Sequence, residues 1–362
     1  MTDATGFSAW RDKLWQAAVA GDEFAAADVA LAALDHRIPV ETLLLEIVAP
    51  VQARVGLEWE ADRITVAQEH TVTAINERVL AALAHHPVAR RTAAAARHAG
   101  RIAVACIDGE WHAMPARILA EVLRLRGWRV DYLGAQVPTP HLIAHLHRTV
   151  YDVVALSTSI PARLPAAHAA ITACQATGTP VIVGGAAFGP DGRYARLLGA
   201  DAWAPDGRAA ADRLAAAPLP RPTASRQAAD DLPHLDDQEY TLVSRSAGRL
   251  VREIMSGLPE RVPAMAGYSE QQHRHTAEDV AHIVDFLAAA LYVDDPGLFT
   301  RFLTWTTGVL TARGVPAGAL LPALDLLGGL LEDFPRATAL IRRGHDAVRA
   351  ASAQAPPRRP PP

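Results

Sequence analysis

Cysteine and lysine are nearly missing from this chain of 362 residues. Its two cysteines, Cys106 and Cys174, offer neither a disulfide framework nor a cysteine zinc site. A reducing cytoplasm is therefore the expected setting. Lys13 is the only lysine, which excludes a Schiff-base lysine or a GxxxxGK phosphate loop anywhere later in the chain. No apolar run approaches the roughly 20 residues that span a bilayer. The opening MTDATGFSAW lacks the basic-then-apolar order of a signal peptide. A net charge of −4 points to neither nucleic acid nor a membrane surface as a partner.

Apolar residues, by contrast, make up 50% of the chain, enough for several cores. At about 100–200 residues per domain, two or three domains are expected. Residues 8–90 read as a helical bundle: Leu31, Leu34 and Val40 lead into the run Leu43–Val51, and Val66, Val72, Ile75 and Val79 recur at near-helical spacing. His85, His86, Pro87 and an Ala/Arg-rich stretch to Gly100 read as a boundary. Short β-branched runs then alternate with helices: RIAVACI, WRVDYLGA, VVALSTS and PVIVGGA, with helices near 115–127, 139–148 and 164–177. That order predicts a doubly wound parallel sheet, spanning 100–212. Pro218, Pro220, Pro222 and Pro233 mark a linker over 213–236. Residues 238–350 return to helix, with Val280, Ile283, Val284, Leu287 and Leu291 on one face and Thr276–Asp279 as an expected capping box. The tail 351–362 is expected to be disordered. The fold class is thus α + α/β: a helical cap, a Rossmann-like sheet domain and a C-terminal all-helical domain.

Ligands of such sheets sit beyond the carboxyl ends of the strands. Those ends read Asp108-Gly-Glu110-Trp-His112, Leu133-Gly-Ala-Gln-Val-Pro138, Ser157-Thr-Ser159 and Val183-Gly184-Gly185. A histidine two residues after a carboxylate suits a metal, because the carboxylate can take one ring N–H and leave the other nitrogen's lone pair for the ion. Small residues at Ser157, Gly184 and Gly185 would let an extended group pass close to the backbone.

This pattern resembles the cobalamin-binding domain of methionine synthases, mutases and corrinoid proteins, whose signature is Asp-x-His-x-x-Gly, then Ser-x-Leu, then Gly-Gly. The segment GWRVDYLGAQVP is also typical of it. The resemblance implies that His112 is the lower axial cobalt ligand, that Glu110 takes the Asp position, and that Ser157, Gly184 and Gly185 line the nucleotide tail. Two positions depart from the pattern: Pro115 stands at the Gly position and Ser159 at the Leu position. Pro115 could still open a helix, where its missing N–H costs nothing.

In the helical segment, Trp59 is followed by nine residues and then Glu69-His70. This is similar to the cap of cobalamin-dependent photoreceptors. There the Trp and Glu pack around the adenosyl group of adenosylcobalamin, and after photolysis the His becomes the upper cobalt ligand. The resemblance, covering residues from about 8 to 210, assigns these roles to Trp59, Glu69 and His70, with His70 and His112 the metal ligands. Such photoreceptors usually begin with a DNA-binding helix-turn-helix. None is expected here ahead of the cap, so direct DNA repression is not the expected output.

A cobalamin module followed by a helical domain resembles the photocobilins, which also bind biliverdin; the helical domain would be globin- or phycobiliprotein-like, with about six helices. A bilin needs cations for its propionates. His273, Arg274 and His275 cluster before the predicted helix, and Trp305, Tyr268 and Arg301 are candidate wall residues. Attachment would be non-covalent, because this domain has no cysteine, unless Cys106 or Cys174 lies at its contact. His275, Asp279 and His282 are spaced as a helix-borne metal set, although Asp279 already serves the expected capping box.

The function expected is a light sensor that binds adenosylcobalamin and biliverdin, changes its homo-oligomeric assembly on illumination and signals to an unknown effector protein, without being an enzyme. The alternatives are a methylcobalamin carrier of a methyltransferase system and a cobalamin-gated adaptor without photochemistry.

Overall fold

The computed structural model describes residues 6–222 and 232–354, which fall into two units on either side of the intervening stretch. In the first unit, α1 (Ser8–Val19) and α2 (Glu23–Asp35) precede a long helical rod. The rod is made of α3 (Val40–Leu43), a π-turn (Leu44–Val48) and α4 (Ala49–Glu60). The π-turn has an identifiable cause. Pro50 has no N–H to offer the carbonyl of Glu46, four residues back, so the helix widens there. The released Glu46 carbonyl accepts instead from Arg11 Nε at 2.5 Å. A Thr65/Gln68 capping box starts α5 (Val66–His85), and α6 (Pro87–Ala95) follows. The Ala/Arg-rich stretch read as a boundary is therefore mostly helical. Pro87 opens it at the first turn, where a missing N–H costs nothing.

Five strands follow: β1 (Gly100–Cys106), β2 (Trp128–Gly134), β3 (Val153–Ser157), β4 (Val181–Gly184) and β5 (Ala202–Trp203). All pair in parallel, in the order β2-β1-β3-β4-β5. Between them lie α7 (Met114–Leu125), α8 (Thr139–Arg148), α9 (Leu164–Ala176) and α10 (Arg193–Leu197); α11 (Gly207–Ala216) closes the unit. Pro115 does sit in the first turn of α7. One continuous core runs from Leu14, Leu44, Val72 and Leu80 of the helices through Val122 of α7 to Ile102 and Val104 of β1. Helical cap and sheet therefore share one core.

Helix α11 continues to Ala216 because Asp206 caps its start and Leu214 is buried. The expected linker thus loses its first four residues to helix. Its Pro233 end closes as a 3-10 turn, Pro233–Asp237; residues 223–231 lie outside the described residues.

The second unit holds five α-helices among the described residues, one fewer than expected: α12 (Glu239–Arg261), α13 (Glu270–Val293), α14 (Pro296–Ala312), α15 (Leu321–Leu330) and α16 (Pro335–Gln354). The remaining short segments, at 233–237, 263–267 and 317–320, close only as 3-10 turns, two of them opened by proline. The expected capping box at Thr276–Asp279 is not there. The cap is Ser269, whose side chain accepts from Gln272 N while Gln272 returns the bond to Ser269 N at 2.8 Å. This earlier start places Thr276 inside α13. The apolar face read from the sequence, Val280 to Leu291, is buried. Glu239 is buried too, and accepts from the N–H groups of Arg336 (3.0 Å) and Ala337 (2.8 Å) at the start of α16. Helix α16 reaches Gln354, so the expected disordered tail begins with helix, and residues 355–362 lie outside the described ones. No helix among the described residues is long and apolar enough to cross a membrane.

Candidate cofactor-binding site

The strand order reverses between β2-β1 and β3-β4, so the loops after β1 and β3 diverge and leave a crevice between them. Glu110 enters it from the β1 loop and is fully buried. One carboxylate oxygen accepts from His112 N (2.8 Å) and His112 Nδ1 (2.7 Å). The other accepts from Thr158 Oγ1 (2.9 Å), Ser159 N (2.6 Å) and Ile160 N (3.3 Å). Burial alone would raise this carboxyl, but the bonds from the His112 side chain and backbone and from Ser159 N prevail and hold it down to about 2. Glu110 is thus an anion that only accepts hydrogen bonds. His112 must present Nδ1 as the donor, which leaves the Nε2 lone pair available. The hydrogen bond to Glu110 also raises the His112 pKa against the opposing effect of burial, and the charge of Glu69 adds to the rise.

His112 opens into a cavity of about 1170 Å³ between the cap helices and the sheet edge. Such a volume suits a ligand larger than an ordinary drug-sized molecule. Trp59, Glu69 and His70 line the same cavity, so the structure brings the two sequence motifs to one place. Trp59 comes from the end of α4, and Glu69 and His70 from the first turn of α5. His70 Nδ1 bonds the Glu69 carboxylate. Each histidine therefore has a carboxylate on Nδ1 and its Nε2 free of that contact.

Ser157, Gly184 and Gly185 stand at the strand ends behind the wall, whose surface is formed by Ser159 and Ala186. Gly185 is required by the fold itself. Its φ is +103°, and a Cβ there would meet the Thr158 carbonyl oxygen at 2.1 Å. The sequence reading missed Gln52, Thr73 and Arg208, which also line the cavity. Gln52 and Thr73 carried no motif, and only the crossing of α4 and α5 unites them. Thr158 was passed over between the two serines that framed the motif.

In the second unit His273, Arg274 and His275 lie in the first two turns of α13, not before it. Arg274 and His275 are exposed, and His273 lies against Tyr268 with ring centroids 5.7 Å apart. Trp305 of α14 is 43% exposed beside Phe302, which stacks on Phe286 at 3.8 Å. Burial raises the Asp279 carboxyl, and no group of three metal-ligating side chains occurs among the described residues. The His275/Asp279/His282 spacing therefore does not make a metal centre. Both cysteines are buried inside the first unit, and their thiols are pushed up to about 12 by burial. Neither is presented for covalent attachment.

Residues 100–215 match the B12 binding domain family, and residues 10–84 match a second B12 binding domain family. Both matched stretches lie in the first unit. The pair coincides with the sheet that presents Glu110 and His112 and with the cap that presents Trp59, Glu69 and His70. The chain is similar to the HTH-type transcriptional repressor CarH of Myxococcus xanthus, at 34% identity over 183 residues. That match takes in 49% of this chain and 58% of the relative, so the chain spans little more than half of the relative's length. Among solved structures, the Methanosarcina barkeri monomethylamine corrinoid protein superposes with a TM-score of 0.50 at 18% identity. It covers 58% of this chain and 100% of its own, a likeness of fold.

Proposed function

We propose that the first unit binds adenosylcobalamin between cap and sheet and acts as a light sensor. The observation that carries this is the meeting, in one cavity, of two carboxylate-oriented histidines with Trp59. The donor set fits a corrinoid. His112 would hold cobalt through Nε2 from the sheet side, with Glu110 fixing its tautomer. Trp59 would cover the apolar part of the upper group, Glu69 would accept its hydroxyls, and His70 would stand ready as the other metal-side imidazole. Ser157, Gly184 and Gly185 would flank the nucleotide tail. Bound there, adenosylcobalamin would supply a light-labile cobalt–carbon bond. The cap would then report the loss of the upper group through assembly with further copies of this chain and an effector protein. The similarity to a transcriptional repressor favours a signalling role over turnover.

Biliverdin would belong to the second unit, held without a covalent bond. The Arg274 cation, with the ring N–H donors of His273 and His275 beside it, suits its propionates, and the aromatic row ending in Trp305 suits its rings.

The test is an absorbance spectrum of the full chain with adenosylcobalamin and biliverdin, before and after green light, with size-exclusion chromatography of both samples. Spectral change with altered assembly is expected in the wild type, with loss of the dark spectrum in His112→Ala. A cobalamin spectrum indifferent to light would favour the methylcobalamin carrier, whose fold the corrinoid protein shares. Absence of a far-red bilin band would remove biliverdin alone.

A further inference from the structure

Behind Glu69, the facing helices α4 and α5 carry a chain of hydrogen bonds that no motif marks. Asn76 Nδ2 donates to Gln52 Oε1 at 2.8 Å, and Gln52 Nε2 donates to Thr73 Oγ1 at 2.9 Å. Thr73 Oγ1 then donates to Glu69 Oε1 at 3.3 Å. The direction of the chain follows from its last member. An ionised carboxylate only accepts, so the Thr73 hydroxyl must spend its proton on Glu69 and receive from the Gln52 amide. Gln52 then has its carbonyl left for the Asn76 amide. The chain leaves one acceptor over at its far end, and the structure shows it: Asn76 Oδ1 is buried without a partner in a residue that is 0% exposed.

A buried acceptor without a partner is costly and uncommon in folded proteins. A pair of facing apolar side chains would join α4 to α5 without that cost, so joining the helices does not explain these residue types. What the chain accomplishes is to hold one Glu69 oxygen, while His70 engages the other. Gln52, Thr73 and Glu69 all reach the cavity, and Asn76 stands behind them.

We infer that Gln52, Thr73 and Asn76 are positioning residues that fix the Glu69 carboxylate for an upper ligand bearing hydroxyl groups. They thereby set a preference for a nucleoside-bearing cobalamin over one carrying a small alkyl group. This rests on reading the first unit as an adenosylcobalamin site. A methyl group offers Glu69 no donor, so the ladder is silent for methylcobalamin. A ribose offers two, and their bonds to a carboxylate depend on where its lone pairs point.

The experiment measures dissociation constants of the full chain for adenosylcobalamin and for methylcobalamin in the dark. The proteins are the wild type, Thr73→Val, Thr73→Ser and Gln52→Met. We expect Thr73→Val and Gln52→Met to lower the preference for adenosylcobalamin about fivefold to tenfold, the worth of a weakened bond to a charged group. Methylcobalamin affinity should fall by less than adenosylcobalamin affinity, and Thr73→Ser, which keeps the hydroxyl, should keep the wild-type ratio. In the cofactor-free protein, the side-chain amide resonance of Gln52 should move in Thr73→Val and hold in Thr73→Ser. If Thr73→Val does not fold, Gln52→Met carries the same comparison. A folded variant that keeps the wild-type ratio, or loses both affinities equally, overturns the ladder while leaving the adenosylcobalamin site standing. A wild type without preference between the two cobalamins overturns that site and the ladder together.

Discussion

Glu110 and Gly185 show how single side chains hold the sheet edge in shape. Five donors converge on the Glu110 carboxylate, which is itself fully buried. In Glu110→Gln an NH₂ group must face at least one of those donors, leaving both sides unsatisfied. With His112 in the cobalt-holding role proposed for it, cobalamin affinity should fall about 10- to 100-fold, the usual cost of losing a carboxylate that orients a metal-bound histidine; titration by absorbance checks it. Unchanged affinity would mean that His112 needs no fixed tautomer. Gly185→Ala should cost more than about 2 kcal/mol, because its backbone is left-handed and its Cβ would strike the Thr158 carbonyl. Urea unfolding of the variant measures that cost. The sequence made His112 and Glu110 legible because they are two residues apart on one loop. It could not show Thr158 and Ser159 as their partners, since those lie about fifty residues away and meet Glu110 only through the parallel pairing of β1 with β3.

At the scale of elements, the cap is joined to the sheet by a set of ion pairs beside the cavity. Glu41 of α3 takes both Arg126 Nε (2.6 Å) and Arg126 Nη2 (2.8 Å), and also meets Arg208 of α11 at 3.3 Å. Arg208 reaches Glu46 in the π-turn at 3.3 Å. The hydrogen bond from Arg126 lowers the Glu41 pKa against the effect of burial, and the charges of Arg126 and Arg208 add to it. A depressed folded-state pKa contributes stability that is fully present above the ordinary value of 4.5 and is lost as pH falls through the folded-state value. Thermal melts between pH 3 and 6 should therefore show the wild type losing stability on acidification faster than Glu41→Gln. Parallel curves would remove Glu41 from the clasp. The π-turn makes a second prediction. Pro50→Ala restores an N–H that competes with Arg11 for the Glu46 carbonyl, so the rod should straighten and draw Leu45 and Glu46 out of the cavity wall. We expect equal or greater thermal stability with weaker cobalamin binding.

The whole molecule is two units, each with its own core, and they should respond separately to damage. Glu239→Ala removes the buried acceptor for two N–H groups at the start of α16, a loss of about 1.5–3 kcal/mol. Differential scanning calorimetry should show the second unit melting earlier while cobalamin affinity stays unchanged. A fall in affinity would mean that the first unit's site depends on the second.

By itself the sequence determined the order of elements, the parallel sheet and the residue types at the strand ends, because hydrophobic period and glycine or proline punctuation are local properties of the chain. The same locality made Trp59, Glu69 and His70 readable as a spacing. Helix starts were less secure: Ser269 and Thr276 both offer a side-chain oxygen, and it is Ser269 that forms the reciprocal box with Gln272, while the Thr276 hydroxyl donates back to the Gln272 carbonyl inside the helix. Tertiary structure alone decided that the cap motif and His112 share a cavity, that Glu110 gathers donors from the β3 loop, and that Gln52 and Thr73 stand behind Glu69. Those facts depend on how helices cross and strands pair over long separations, which no residue's own neighbours along the chain record.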